Sequence, residues 1–497
     1  MAEESLTQTI CSFLRGARSP AVLEPGEPAF EVAPEAFEVS ERNGRVLLHA
    51  WTDGRNLARR VLQITARRRD RMELQIERLG GKRGKLWLVD QAHAAAVDLV
   101  RRGMRMSFQS EFQQWLARQY PGWRVKELTT EPDLEHSLSP VFPRALLLEG
   151  QTARAAMAAP ETSRPGDVLT FALIWLDHVR GRNARLPVDR LILFVPSAHA
   201  PCLCQRIRFL DPLQAPCELY AYGNDGSGQF DLADFGNLET RLEPVATTEV
   251  RSDLAQRLSR IPHARPVTTA DGGISIRVCG LEIAHVTADR AWYGLDRREP
   301  LDLAGVDELE SLAAGIARRR DPRSADPRDS IYSRAPEAWL EHRVRGDLSV
   351  IDATLQPAPL YSQVPQWSAR ERGMLDLLAV DYTGRLVVIE LKASEDLHLP
   401  LQALDYWMRV SWHLEKRDFS SRGYFPGTTL RAVPPRLLLV APALEFHPST
   451  ESILRFWKPA IEVERIGVNA GWRSGLRVAF RLRGSEKASA LAVSMPP

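Results

Sequence analysis

The stretch GMLDLLAVDYTGRLVVIELK (373–392) limits what this chain can fold into more than any other. Two apolar, β-branched runs flank Tyr382-Thr383-Gly384, a turn signal, so the segment reads as a β-hairpin. A loop over Tyr382–Gly384 sets Asp381 against Arg385, and that register brings Asp376 directly opposite Glu390. Opposed residues of an antiparallel pair share a face, with Cβ atoms about 4.5–5.5 Å apart. Lys392, two residues past Glu390, points to the same face. Two carboxylates and an ammonium on one face of an apolar hairpin are costly unless something compensates them. A divalent cation would do so, because magnesium prefers hard oxygen ligands and keeps places for water and phosphate. Such a set suits metal-assisted phosphodiester hydrolysis, with Lys392 orienting or helping to deprotonate a water, or stabilising the charged phosphorane. The plain alternative is a surface hairpin with an ion pair among Asp376, Lys392 and Glu390, which the apolar flanks of the Glu argue against.

A hairpin carrying Asp, then Glu-x-Lys on the next strand, then a helix, resembles the PD-(D/E)xK nuclease superfamily. Asp376, Glu390 and Lys392 match the motif, while Leu375 stands where the family's name has Pro. In several branches an earlier helix adds another Glu. Here PEAWLEHRV (336–344) offers Glu337 and Glu341 on one helical face, and Glu341 is preferred. Gln402 and Tyr406 match the Gln-x-x-x-Tyr of recombination- and repair-type members, and ordinary helix packing is the alternative for both. The resemblance covers about residues 331–445. It implies an α/β fold of restriction-endonuclease type, a mixed central sheet flanked by helices. It also implies Mg2+ or Mn2+ held by Asp376, Glu390 and Glu341, with Lys392 completing the catalytic group and Gln402 and Tyr406 serving substrate. The implied activity is an endodeoxyribonuclease and the implied partner is nucleic acid, DNA foremost. An inactive nucleic-acid-binding protein, or a structural protein using this strand only as sheet, are the rival readings.

The chain also repeats itself faintly. SEFQQWLARQYPGWRV resembles RAPEAWLEHRVRGDLSV with Trp115 on Trp339, VLTFALIWLDHVRG resembles LPLQALDYWMRVSW with Trp175 on Tyr406, and VDRLILFVPSA resembles PPRLLLVAPAL. Upstream of each lies a strand-rich segment with Asn-Gly or Gly-Gly turns, then a helical stretch. A duplicated unit of roughly 230 residues is expected, giving four domains. They are a β-rich part (1–100), a degenerate nuclease-like part (101–244), a second β-rich part with a DPRSADPRDS linker (245–330), and the nuclease-like part (331–497). The first copy lacks the chemistry: Arg144 stands near the place of Asp376, alanines near Glu390 and Lys392, Ala117 at Glu341, and Phe171 at Gln402. One live site in an internal pseudo-dimer would nick one strand per encounter, and the oligomeric state is otherwise open.

Composition narrows the class. With 497 residues, 44% hydrophobic and 26% charged, the chain is an ordinary multidomain globular protein. No apolar run approaches the roughly 18 residues of a membrane span, and the acidic N-terminus is no signal peptide. Five cysteines at Cys11, Cys202, Cys204, Cys217 and Cys279 fit no zinc spacing, so reduced thiols in a cytoplasm are expected. No phosphate loop or dinucleotide fingerprint appears, so no nucleotide cofactor is expected. Net charge is only +2, and the arginines cluster at Arg59-Arg60, Arg67 to Arg71 and Arg318 to Arg320. Such clusters permit phosphate contacts but suit a solvated face equally. His398, His413 and His447 read as capping or surface residues, and Trp115, Trp175, Trp339, Trp407 and Trp412 as core.

Overall fold

The structure, a computed structural model, describes residues 5–486 except 25–29, 34, 43–44, 53–54, 78–82, 183–185, 224–225, 235, 237–239, 246–252, 270–271, 325 and 368–371. The turn at Asn43-Gly44 therefore lies outside the described residues. The protein is mixed α/β with four sheets. It divides into two compact units, residues 1–200 with 217–230, and residues 201–216 with 231–497. Among the described residues no helix is long and apolar enough to cross a membrane.

The first unit opens with a seven-stranded antiparallel sheet. Its strands alternate buried and less buried positions, as in Arg71–Glu77, because one face is packed and the other is partly wet. The Leu6–Gly16 helix covers the packed face with Ile10, Phe13 and Leu14. A reciprocal capping box between Ser5 and Gln8 starts that helix. The Arg59-Arg60 pair is consumed within the sheet. Arg59 Nε lies 2.7 Å from the buried Glu24, and Arg60 Nη1 lies 2.5 Å from Glu77 directly across the ladder. A six-stranded sheet follows, in sequence order from Arg124–Thr129 to Gly226–Phe230, with the two central contacts parallel and the other three antiparallel. The Asp167–Arg182 helix makes the crossover between its third and fourth strands, burying Trp175 against it.

In the second unit, a five-stranded antiparallel meander runs from Ala264–Thr268 to Glu299–Pro300. The Val306–Arg319 helix packs Val306, Leu309, Ala313 and Ile316 on it. A seven-stranded mixed sheet follows, ordered Arg241–Leu242, Tyr361–Trp367, Arg372–Val380, Leu386–Leu391, Arg436–Pro442, Val463–Val468 and Val478–Arg483. Its two parallel contacts link the fourth, fifth and sixth strands of that order. Leu386–Leu391 and Val463–Val468 are buried along their whole length, as central strands covered on both faces must be. Trp339, Leu340 and Val344 of the Pro336–Gly346 helix pack on one face with Leu377, Ala379, Val387 and Ile389. The Leu399–Glu415 helix packs against Leu386–Leu391 and Arg436–Pro442. Strand alternation then sends Asp376, Leu378, Val388 and Glu390 away from the Trp339 face.

The meander is fastened to the Pro336–Gly346 helix by one turn. Cys279 and Gly280 both have positive φ, +46° and +87°, as a two-residue hairpin loop of this hand requires. A Cβ on Gly280 would lie 2.1 Å from the carbonyl oxygen of Ala338. Gly280→Ala therefore adds left-handed strain to a backbone clash and is expected to destabilise the second unit by more than about 2 kcal/mol. A shift of the urea midpoint measures it, and an unchanged midpoint would show that the turn is free to move. Beside it, Arg320, 1% exposed, donates to the carbonyls of Ile331 (2.8 Å), Cys279 (2.7 Å) and Arg334. Arg319 pairs with Asp329 through two 2.7 Å contacts. The linker read in the sequence is thus tied down at its end, and of this arginine cluster Arg320 is internal while Arg318 and Arg319 stay exposed.

Candidate active site

The hairpin is set by its turn. Asp381 Oδ1 accepts from Thr383 N (2.8 Å), Thr383 Oγ1 (2.7 Å) and Arg385 N (2.9 Å), and Gly384 takes the left-handed position at φ +84°. Leu377 then pairs with Ile389 and Leu378 with Val388, the register expected from the turn sequence. One step further, the Asp376 carboxylate itself accepts from Leu391 N at 2.8 Å. Glu390, 2% exposed, sits on a strand that pairs in parallel with Arg436–Pro442, where it faces Leu439. Lys392 Nζ lies 3.8 Å from Glu390 Oε1 and 3.4 Å from Asp396 Oδ2.

These groups are electrostatically unbalanced. Burial pushes the Asp376 carboxyl up to about 6, helped by the charges of Glu341 and Glu337, while the Leu391 amide and Lys392 pull the other way. Burial, and then the charge of Asp376, push Glu390 well above the usual carboxylate range. Its Oε2 is buried and has no hydrogen-bond partner among the described residues. Burial would lower the Lys392 ammonium, but Glu390, Asp396 and Asp376 outweigh it and hold its pKa up. Lys392 is therefore a fixed cation, suited to stabilising negative charge and not to taking a proton.

The other expected site residues converge to different degrees. Tyr406 is buried on the Leu399–Glu415 helix, its hydroxyl pKa raised by burial and by the charges of Glu390 and Asp376, so it faces the carboxylates. Gln402 lies one turn before it and is half-buried. Glu341 is buried too, but its carboxylate is held by Arg345 Nε at 3.0 Å and Arg277 Nη1 at 3.6 Å. Glu337 accepts from Ser394 Oγ at 3.4 Å, and Ser394 is two residues beyond Lys392. Arg277 belongs to the five-stranded meander, and its hold on Glu341 had no signal in the sequence.

The donor set fits a divalent ion. A buried carboxyl with one oxygen unpartnered among the described residues, and a half-buried carboxyl beside it, are costly to ionise alone and satisfied together by a hard cation. Carboxylate ligands must lose their protons to bind it, so binding strengthens as pH rises through the Asp376 value of about 6. Magnesium or manganese is expected to raise the unfolding temperature more at pH 8 than at pH 5. Asp376→Asn should remove that difference, and equal shifts at both pH values would place the ion elsewhere.

Of the histidines around the Leu399–Glu415 helix, expected at the surface or in caps, His413 is instead in the interior. His413 is buried between Asp418 Oδ2 (2.7 Å) and Thr240 Oγ1 (3.0 Å), and His447 Nδ1 accepts from Ser449 N at 3.0 Å. Trp175, Trp339 and Trp407 are core, as expected. The sequence reading missed one cluster. Asp133, His136 and His178 bring three potential ligand atoms within 4.8 Å of one another in the first unit. The Asp-x-x-His spacing was its only local signal, since His178 comes from a distant helix. Asp133 is already bonded to the His136 amide (3.0 Å) and ring (2.9 Å), with the Arg144 charge acting on it, so this trio also stands as a capped loop.

No protein-family model matches the chain, and no curated protein matches it.

Proposed function

We propose that the α/β part of the second unit is a divalent-metal-dependent nuclease of the PD-(D/E)xK kind, hydrolysing phosphodiester bonds of DNA in repair, recombination or defence. The observation that carries this reading is Glu390: a carboxyl buried on a core strand with one oxygen unpartnered among the described residues, beside a half-buried carboxyl and a half-buried ammonium. Asp376 and Glu390 would hold Mg2+ or Mn2+, with Glu337 or Glu341 adding an oxygen. The ion would supply Lewis acidity to the phosphate and a more acidic water. Lys392 contributes a fixed positive charge to the phosphorane as the water oxygen bonds to phosphorus and the bond to the leaving oxygen breaks. Tyr406 walls the site against bulk water, and Gln402 is the polar group one helical turn away that can contact substrate.

A duplicated fold is part of the proposal. The six strands from Arg124–Thr129 to Gly226–Phe230 and the six from Tyr361–Trp367 to Val478–Arg483 share one order, with pairings antiparallel, antiparallel, parallel, parallel, antiparallel. Each run follows an antiparallel sheet and a helix. On that alignment Met157 pairs with Arg144 where Glu390 opposes Asp376. The Ala159 amide donates to Phe194 O (2.9 Å) as the Lys392 amide does to Val440 O (3.0 Å). A methionine, not an alanine, thus takes the place of Glu390, and the first copy offers no carboxyl pair.

Purified protein with magnesium or manganese would be given supercoiled plasmid, linear duplex, branched DNA and single strands, beside Glu390→Ala and Lys392→Ala. Metal-dependent cutting lost in both variants is expected, with nicking ahead of linearisation if one site acts. Cutting of no substrate, with the variants binding DNA as well as wild type, would leave a binding protein with a fossil site.

A further inference from the structure

The second unit holds a second concentration of unbalanced charge. Between the meander and the Pro336–Gly346 helix lies a cavity of about 380 Å³ lined by Arg265, Arg320, Trp339, His342, Arg343 and Arg473 among others. A smaller one of about 190 Å³ shares Arg265 and His342 with it and reaches Glu341, Arg277 and Arg345. Among the described residues Asp321 is the one carboxylate on the larger wall. Arg320 is spent on three backbone carbonyls, but the other guanidiniums are not. Arg265 is exposed and makes no hydrogen bond or ion pair to any described residue. Among the described residues Arg343 gives one bond, Nη2 to Ser474 O at 3.2 Å, and its Nε is buried without a partner. The Arg473 guanidinium carbon lies 4.4 Å from the centre of the Trp472 ring, 5.3 Å from Trp339 and 5.4 Å from Tyr332, and its Nε is likewise buried and unpartnered among the described residues. Stacking fixes a guanidinium plane while leaving its edge to bond elsewhere. Burial and the surrounding arginines hold the His342 imidazole down near 4, so the ring is neutral and adds a hydrogen bond without more charge.

Like charges gathered in one cavity with orphaned donors need an anion, and planar guanidiniums match phosphate oxygens. The cleft shares its helix with the active site. Trp339, His342 and Arg343 line the larger cavity, while the charges of Glu337 and Glu341 act on Asp376. We infer that this arginine-lined cleft seats backbone phosphates of the nucleic-acid strand that enters the site. The inference rests on the nuclease reading for its choice of ligand. Gly280 has a part in it, because the turn that meets Ala338 holds the meander wall of the cleft in place.

The test is binding of the full chain to labelled single-stranded and duplex DNA in EDTA, followed by anisotropy across a salt series. Arg265→Gln and Arg473→Gln are each expected to weaken binding roughly 5- to 20-fold near 0.15 M salt. Each should also lower the slope of log affinity against log salt by about one, as loss of one phosphate contact does. Arg265→Lys should recover most of the affinity. Unchanged affinity and slope in folded Arg265→Gln would overturn the cleft, and wild-type cutting would then leave the nuclease standing. Slope-dependent binding without any cutting would keep the cleft and sink the nuclease. Protection by inorganic pyrophosphate with no strand binding would overturn the strand as occupant.

Discussion

Glu390→Gln is expected to stabilise the metal-free protein and to silence it. The amide keeps the shape of the side chain and removes a carboxyl that burial and Asp376 make costly to ionise. Unfolded carboxyls ionise near pH 4, whereas Asp376 in the fold waits until about 6 and Glu390 is also raised. Between those values the folded state holds the extra protons, so stability falls as pH climbs from about 4 through about 6. The variant escapes its part of that loss. At pH 8 without metal it should gain roughly 1–3 kcal/mol, and near pH 4 almost nothing. Metal-dependent cleavage should fall at least about 10²–10³-fold, since one carboxylate that would hold the metal beside the reacting phosphate is gone. Scanning calorimetry in EDTA and single-turnover cleavage read the two effects. A variant that is both less stable and less active would mean the carboxylate is structural.

Arg436→Met is expected to do the opposite kind of damage. Arg436 Nη2 lies 2.7 Å from Asp352 Oδ2 and 2.9 Å from Glu464 Oε1, both carboxylates buried, and Arg481 holds the other oxygen of Glu464 at 2.6 Å. Burial raises Asp352 and Glu464, but hydrogen bonds from Thr354 and Arg436 to the first, and from Arg481 and Arg436 to the second, bring both below the usual carboxylate range. Removing the arginine leaves the buried Asp352 without a cation and Glu464 with Arg481 alone, which costs about 3–5 kcal/mol at pH 7. Both acids have lowered values in the fold, so their contribution is complete above about pH 4–5 and disappears as pH falls. The gap between wild type and variant in urea midpoint should therefore narrow at pH 3, and a gap independent of pH would assign the loss to packing alone.

The carboxylate register was legible because a short turn with Gly in its last position leaves one way to pair the flanking strands. Lys392 followed from the same alternation, and Tyr406 from a helical turn. Glu341 was legible as a residue on the right helix but not as the partner of Arg277, which lies on another sheet far upstream. The arginines show the reverse. Runs such as Arg59-Arg60 and Arg319-Arg320 stood out in the sequence, and the fold spends them on Glu24, Glu77, Asp329 and backbone carbonyls. The unbalanced positive surface is built from Arg265, Arg343 and Arg473, single residues that only tertiary packing brings together. Sequence clusters of one charge attract partners in the fold, whereas residues scattered along the chain converge without a local signal.

The most direct test is the rate of plasmid cleavage against magnesium concentration, in wild type and Glu390→Gln at pH 8. The account predicts no cleavage in EDTA, a rate that saturates with metal in wild type, and no metal-stimulated rate in the variant. Cleavage that persists in EDTA, or that survives the substitution, would contradict a site built on Asp376 and Glu390.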